Sequence, residues 1–183
     1  MNTFLKLNAP LVVAAMLVLP VAQADTMTQT HYNAGKTRIS ADYKADKAAC
    51  ATLAGNANEI CVEQAKATGK VALAELEYGY TGKASDHNKV LVAKAESAYA
   101  VAKERCDDKA GNVKDVCVEE AKAVETKALA DAKMGKQIGE AAKDATQAKR
   151  DADYKVAVEK CDTLSGDAKS GCLAAAKANL GKT

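Results

Sequence analysis

The chain has 183 residues, 40 of them alanine, with no tryptophan, one phenylalanine and two prolines. Lysine and arginine number 26 against 24 acidic residues, a formal net charge of +2. That balance argues against a nucleic-acid partner, which needs a surface excess of Lys and Arg. The alanine content favours helix nearly throughout.

The chain begins MNTFLKLNAPLVVAAMLVLPVAQADT, with one positive charge at Lys6, an apolar run over residues 9–21 and then Ala22-Gln23-Ala24. Residues 1–24 therefore read as a secretory signal peptide, with cleavage expected before Asp25. The apolar run is shorter than the ~20 residues that cross a bilayer, and Pro20 interrupts it. No transmembrane anchor is expected after cleavage, and no cysteine stands near the cut to carry a lipid. The destination is periplasmic or secreted. Both prolines and Phe4 leave with this segment, so six tyrosines and two histidines are the remaining aromatic residues. Alanine buries little apolar area per residue, which implies a thin core.

Residues 25–38 (DTMTQTHYNAGKTR) are polar and aperiodic and are expected to form a disordered lead-in. The first helical arm is expected to begin near Ile39 or Ser40. From there an internal repeat of 55 to 56 residues runs to the end of the chain. Its units are residues 39–95, 96–150 and a truncated 151–183. Each unit carries a pair of cysteines eleven apart: Cys50 and Cys61, Cys106 and Cys117, Cys161 and Cys172. A tyrosine precedes each first cysteine by seven positions, at Tyr43, Tyr99 and Tyr154. At mid-spacing stand Gly55, Gly111 and Gly166, followed by Asn56, Asn112 and Asp167. An Ala-Lys-Ala follows each second cysteine, beginning at Ala65, Ala121 and Ala176.

Each position has a physical meaning. Glycine after an alanine-rich stretch suits a left-handed residue closing a helix, and the Asn or Asp after it suits the cap of the next. Three positions further on, Glu59 and Asp115 favour the positive end of that next helix. The unit is thus helix, tight turn, helix. Both cysteines of a pair lie at the same height on its two arms. Alanine-rich helices pack at the close end of the ~8–10 Å range, and with Cα atoms on a ~2.3 Å radius the facing residues approach to roughly 4–5 Å. Disulfides span about that distance, so the pairing is Cys50–Cys61, Cys106–Cys117 and Cys161–Cys172. In the chain-entropy model each closure of such a loop stabilises by about 3 kcal/mol, which a thin alanine core requires. Each tyrosine lies two helical turns before its cysteine on the same face and is expected to pack near the bridge. The expected fold is all-α: three disulfide-stapled αα-hairpin repeats of C-x10-C type, forming an antiparallel helical bundle or an elongated helical array.

Between successive turns lie some fifty residues, enough for one helix of about 80 Å or two of half that length. Gly79 and Gly82 mark the first midpoint, Gly135 and Gly139 the second, and Gly79 and Gly135 share a repeat position. At the first, Ser85 and Asp86 offer a new helix cap, so a true break is expected there. At the second, good helix formers continue and a weak kink is expected; the residues leave open whether the chain reverses at either midpoint.

No C-x-x-C, haem-attachment or phosphate-loop motif occurs, and His31 and His87 stand far apart in polar segments. A thin alanine protein offers little wall for a substrate pocket. No catalytic, cofactor-binding or metal-binding residues are assigned, no cofactor is expected, and the chain does not read as an enzyme. The stretch VCVEEAKAVETKALADAKMGKQIGEAAKDATQAKRDA from Val116 resembles the helical middle region of TolA-like cell-envelope proteins. That resemblance implies a periplasmic, helical, non-catalytic envelope protein. Here the N-terminus reads as cleavable, and no stretch resembles a globular C-terminal domain. The leading expectation is a structural or interaction protein whose partners are other envelope proteins. The alternative is a thiol-based metal-binding or redox module using the three cysteine pairs.

Overall fold

A computed structural model describes residues 27–181; the expected signal peptide and its cut before Asp25 lie outside the described residues. Among the described residues five helices run antiparallel in turn: α1 (Gln29–Cys50), α2 (Asn56–Thr81), α3 (Ala84–Cys106), α4 (Gly111–Asp162) and α5 (Gly166–Asn179). Among the described residues there is no strand. Among the described residues each helix packs only against its neighbours in the chain: α1 on α2, α2 on α3, α3 on α4, and α4 on α5. The first helix does not close against the fourth. Of the two arrangements the sequence allows, the molecule takes the open array, a serpentine layer of helices.

The core is as thin as the composition implies. Its buried apolar residues are alanines, two valines (Val90 and Val101) and Cys50, Cys106 and Cys161. The largest fully buried side chains are those three cysteines, each 1 % exposed. The disulfides are thus both the staples and the densest part of the interior. Helix α3 lies between α2 and α4 and buries the most residues. Its Ser97 and Val101 face α2, and its Ala95 and Tyr99 face α4.

Residues 29–38 belong to α1, not to a disordered lead-in, and the first arm starts ten residues before Ile39. Their polar composition conceals three anchors. The Thr28 hydroxyl accepts the His31 backbone N–H at 3.2 Å and caps the helix. Tyr32 stacks on Tyr80 of α2 with ring centroids 4.5 Å apart, and its hydroxyl donates to Glu77. Gly35 lets the Leu76 side chain lie against the α1 backbone, within 3 Å of where a Cβ would stand.

The two midpoints behave differently, in the sense the sequence suggests. Gly79 lies inside α2, while Gly82 ends it in the left-handed conformation (φ 63°, ψ 7°) and the chain reverses into α3. Gly135 and Gly139 lie inside α4, which runs unbroken for 52 residues, about 78 Å. The N-cap of α3 is Lys83, not Ser85 or Asp86. The sequence boundaries at 95/96 and 150/151 fall within α3 and α4, so the repeat of sequence is staggered against the helices.

Candidate functional site: stapled turns and open helix faces

The three disulfides join Cys50–Cys61, Cys106–Cys117 and Cys161–Cys172, with Cα atoms 5.6, 5.7 and 5.7 Å apart. No cysteine is free among the described residues. Tyr43 meets Gly69 across the first hairpin, 3.7 Å from the Cβ position, and Tyr99 lines the α3–α4 groove. All three repeat tyrosines are partly buried. They supply bulk along the seams two turns from the bridges.

The turn glycines correct the expected capping. The first arms end at Cys50, Cys106 and Asp162, several residues before Gly55, Gly111 and Gly166. The glycines do adopt positive φ (58°, 54° and 57°). They stand, however, at the start of the second arm: Gly55 is the N-cap of α2, and Gly111 and Gly166 are the first residues of α4 and α5. Nothing lies within 4 Å of the Cβ position at any of them, so the requirement for glycine is purely conformational. Asn56, Asn112 and Asp167 then fall inside the first turn, and none caps a helix through its side chain. Asn56 instead donates to the Glu104 carbonyl at the end of α3 (3.0 Å), tying the first turn to the neighbouring hairpin.

Each turn also has a cross-tie that the sequence reading missed. Asn58 donates to the Cys50 carbonyl at 2.6 Å. At the equivalent places in the other turns Lys114 pairs with Asp107 (2.7 Å) and Lys169 with Asp162 (3.0 Å). The hydrogen bond to Asp107 raises the Lys114 pKa. These pairs are largely exposed, so each contributes little stability. Their signal was available in the sequence: opposite charges seven apart, straddling the turn at one repeat position in two units.

A connected polar cluster lies at the α2–α3 corner. Asp86, 4 % exposed, accepts from the Thr81 hydroxyl (2.6 Å) and from Lys89 Nζ (2.7 Å). These two hydrogen bonds, Lys89 first, hold the Asp86 pKa below the ordinary carboxylate value. The Lys83 backbone N–H donates to the Thr81 hydroxyl (3.2 Å), and Tyr78 packs on His87 with centroids 4.9 Å apart. Further along the seam Lys94 pairs with Glu75 (2.7 Å) and Lys70 with Glu96. The structure leaves His31 in a separate place, on the exposed start of α1. No group of three or more His, Cys, Asp or Glu among the described residues is placed to hold a metal.

The remaining concave features are open grooves along the seams, walled largely by alanine and by the stems of charged residues. Large exposed apolar residues gather on α4, at Val113, Val116, Val124, Met134, Ile138 and Val156. No helix among the described residues is long and apolar enough to cross a membrane. No protein-family model, curated protein or solved structure matches the chain.

Proposed function

We propose that this is a non-catalytic structural or interaction protein of the periplasm or the extracellular side of the cell envelope, acting through its helix faces. The observation that carries the reading is the open layer stapled by a disulfide at every bridged turn. A chain that invests its interior in three cystines and leaves its helix faces uncovered presents surface, not a chamber. Persistent disulfides belong to oxidising compartments, which fits the signal-like N-terminal residues. The Ala/Lys/Glu-rich α4 has the composition of the helical region of TolA-like envelope proteins and agrees with the same setting.

Two measurements test this together. Thiol titration of the denatured protein without reductant is expected to find no free thiol. Cell fractionation is expected to place the protein outside the cytoplasmic membrane. Several reactive thiols, or metal released on denaturation, would transfer the function to a thiol-based metal or redox module.

A further inference from the structure

The repeat maps the chain onto itself, and the mapping shows two faces of α4 that lack the partner their equivalents have. Helix α2 corresponds to the first half of α4 at an offset of 56, as Cys61 does to Cys117. Helix α3 corresponds to the second half at an offset of 55, as Cys106 does to Cys161. Helices α2 and α3 pack on each other along a seam that includes Thr68, Glu75, Lys94 and Val101. Their equivalents are Val124, Asp131, Lys149 and Val156, all exposed on α4, the first two at the rim of the α3–α4 groove. Val101 is 7 % exposed in its seam, whereas Val156 is 54 % exposed and Val124 63 %. Because α4 is one unbroken helix, its two halves cannot turn to meet each other as α2 and α3 do.

We propose that a second copy of this chain covers this face, the two α4 helices packing antiparallel about a two-fold axis near Gly139. Three observations converge on that geometry. First, at 3.6 residues per turn, Val124, Asp131, Ile138, Lys149 and Val156 lie within about 40° of one another around the helix. The two unpartnered faces thus form one continuous stripe. Second, the contacts of the α2–α3 seam transfer to pairs centred on one point. Glu75–Lys94 becomes Asp131 with Lys149 of the second copy, and Tyr78–His87 becomes Met134 with Ala142; both centre within two residues of Gly139. Third, the arrangement is self-complementary, as a two-fold interface requires. Asp131 of each copy meets Lys149 of the other, so the ion pair forms twice, and Val124 meets Val156 twice. Ala142 and Ala145, on the stripe side of α4 near the axis, leave room for close approach of the backbones. In this arrangement each α4 gives the other what the α2–α3 corner gives within one chain.

The inference deepens the interaction role by naming one partner, and it stands or falls separately from it. Sedimentation equilibrium of the secreted chain with its disulfides intact is expected to show a dimer. Lys149→Asp and Asp131→Lys should each weaken association roughly tenfold, because each introduces two like-charge contacts. The double variant should restore it. Lys133→Glu, on another side of α4, should leave it unchanged. All these side chains are exposed, so circular dichroism should be the same for every variant. A monomer at all concentrations, or a dimer indifferent to the charge exchange, overturns the proposal. Cross-linking to a different envelope protein by a monomeric chain would overturn the dimer while leaving the interaction role intact.

Discussion

The α2–α3 corner and the middle of α4 occupy the same place in the repeat, yet one reverses the chain and the other runs straight through. Gly79 and Gly135 are equivalent and both helical, so glycine content does not decide the outcome. The difference lies three residues later. Thr81, Gly82, Lys83 and Asp86 build the corner; their places in α4 are taken by Gln137, Ile138 and Ala141, one residue fewer. Without a left-handed glycine the helix has no inexpensive way to stop. Without the Thr81–Asp86–Lys89 cluster nothing locks a reversal. A β-branched Ile138 resists positive φ, and its neighbours are good helix formers. One short segment therefore determines whether two hairpins lie side by side or at opposite ends of a 52-residue helix.

The largest test of this contrast is to exchange the segments. Replacing Gln137-Ile138 by Thr-Gly-Lys, together with Ala141→Asp, should let the third hairpin fold back onto the second. Small-angle scattering should then report a maximum dimension shorter by tens of ångströms, since about half of a ~78 Å helix changes direction. Unaltered dimensions would mean that the corner is imposed by packing and not by its own residues.

Next in size is the loss of a bridge, which should differ between the paired and the solitary hairpins. Cys161→Ala with Cys172→Ala removes about 3 kcal/mol of loop constraint. The 14-residue α5 packs only on α4, and a helix of that length is marginal alone. Hydrogen exchange should show α5 unprotected. Cys50→Ala with Cys61→Ala carries a similar entropic cost, but α2 still packs on α3. Its amides should remain protected. Equal loss of protection in both variants would contradict the idea that side-by-side packing supports the first hairpins.

Gly82→Ala isolates the left-handed residue. No atom lies within 4 Å of the new methyl position, so the cost is conformational, about 1–2 kcal/mol. The reciprocal change, Gly139→Ala in the straight segment, removes a weak helix former and should stabilise the isolated chain by about 1 kcal/mol. Thermal melts that move in opposite directions would sharpen the comparison; a shared direction would break it.

The smallest effect is titration of the corner. Asp86 has a lowered pKa, so its contribution is present above its unfolded value of about 3.9 and is lost as pH falls through the lower folded value. Lys89 has a raised pKa, so its share is present below its unfolded value of about 10.4 and is lost as pH rises through the folded one. The melting temperature of the parent should exceed that of Asp86→Asn from pH 5 to 9, roughly, and the gap should close in acid. A gap persisting in strong acid would assign the effect to side-chain shape instead of charge.

Helical content, the three bridged turns and the choice of disulfide partners were all legible in the residues, because each depends on interactions within about a dozen positions. Alanine sets the helix, glycine sets positive φ, and eleven-residue spacing brings Cys50 to Cys61 whatever the rest of the chain does. The break near Gly82 and the weaker interruption of α4 were legible for the same reason, but the reversal at Gly82 and its absence in α4 were not. Three features depended on remote partners. Residues 29–38 look polar and unpatterned until Tyr80, Glu77 and Leu76 of α2 are beside them. Asn56 looks like a cap until the end of α3 supplies a carbonyl. The choice between a closed bundle and an open layer rests on which faces meet, and alanine-rich faces are too alike for composition to distinguish them. Local chemistry thus determined the helices and their staples. Only the tertiary structure decided which helices touch and which face of α4 remains uncovered, because those outcomes are set by contacts between segments that the sequence separates.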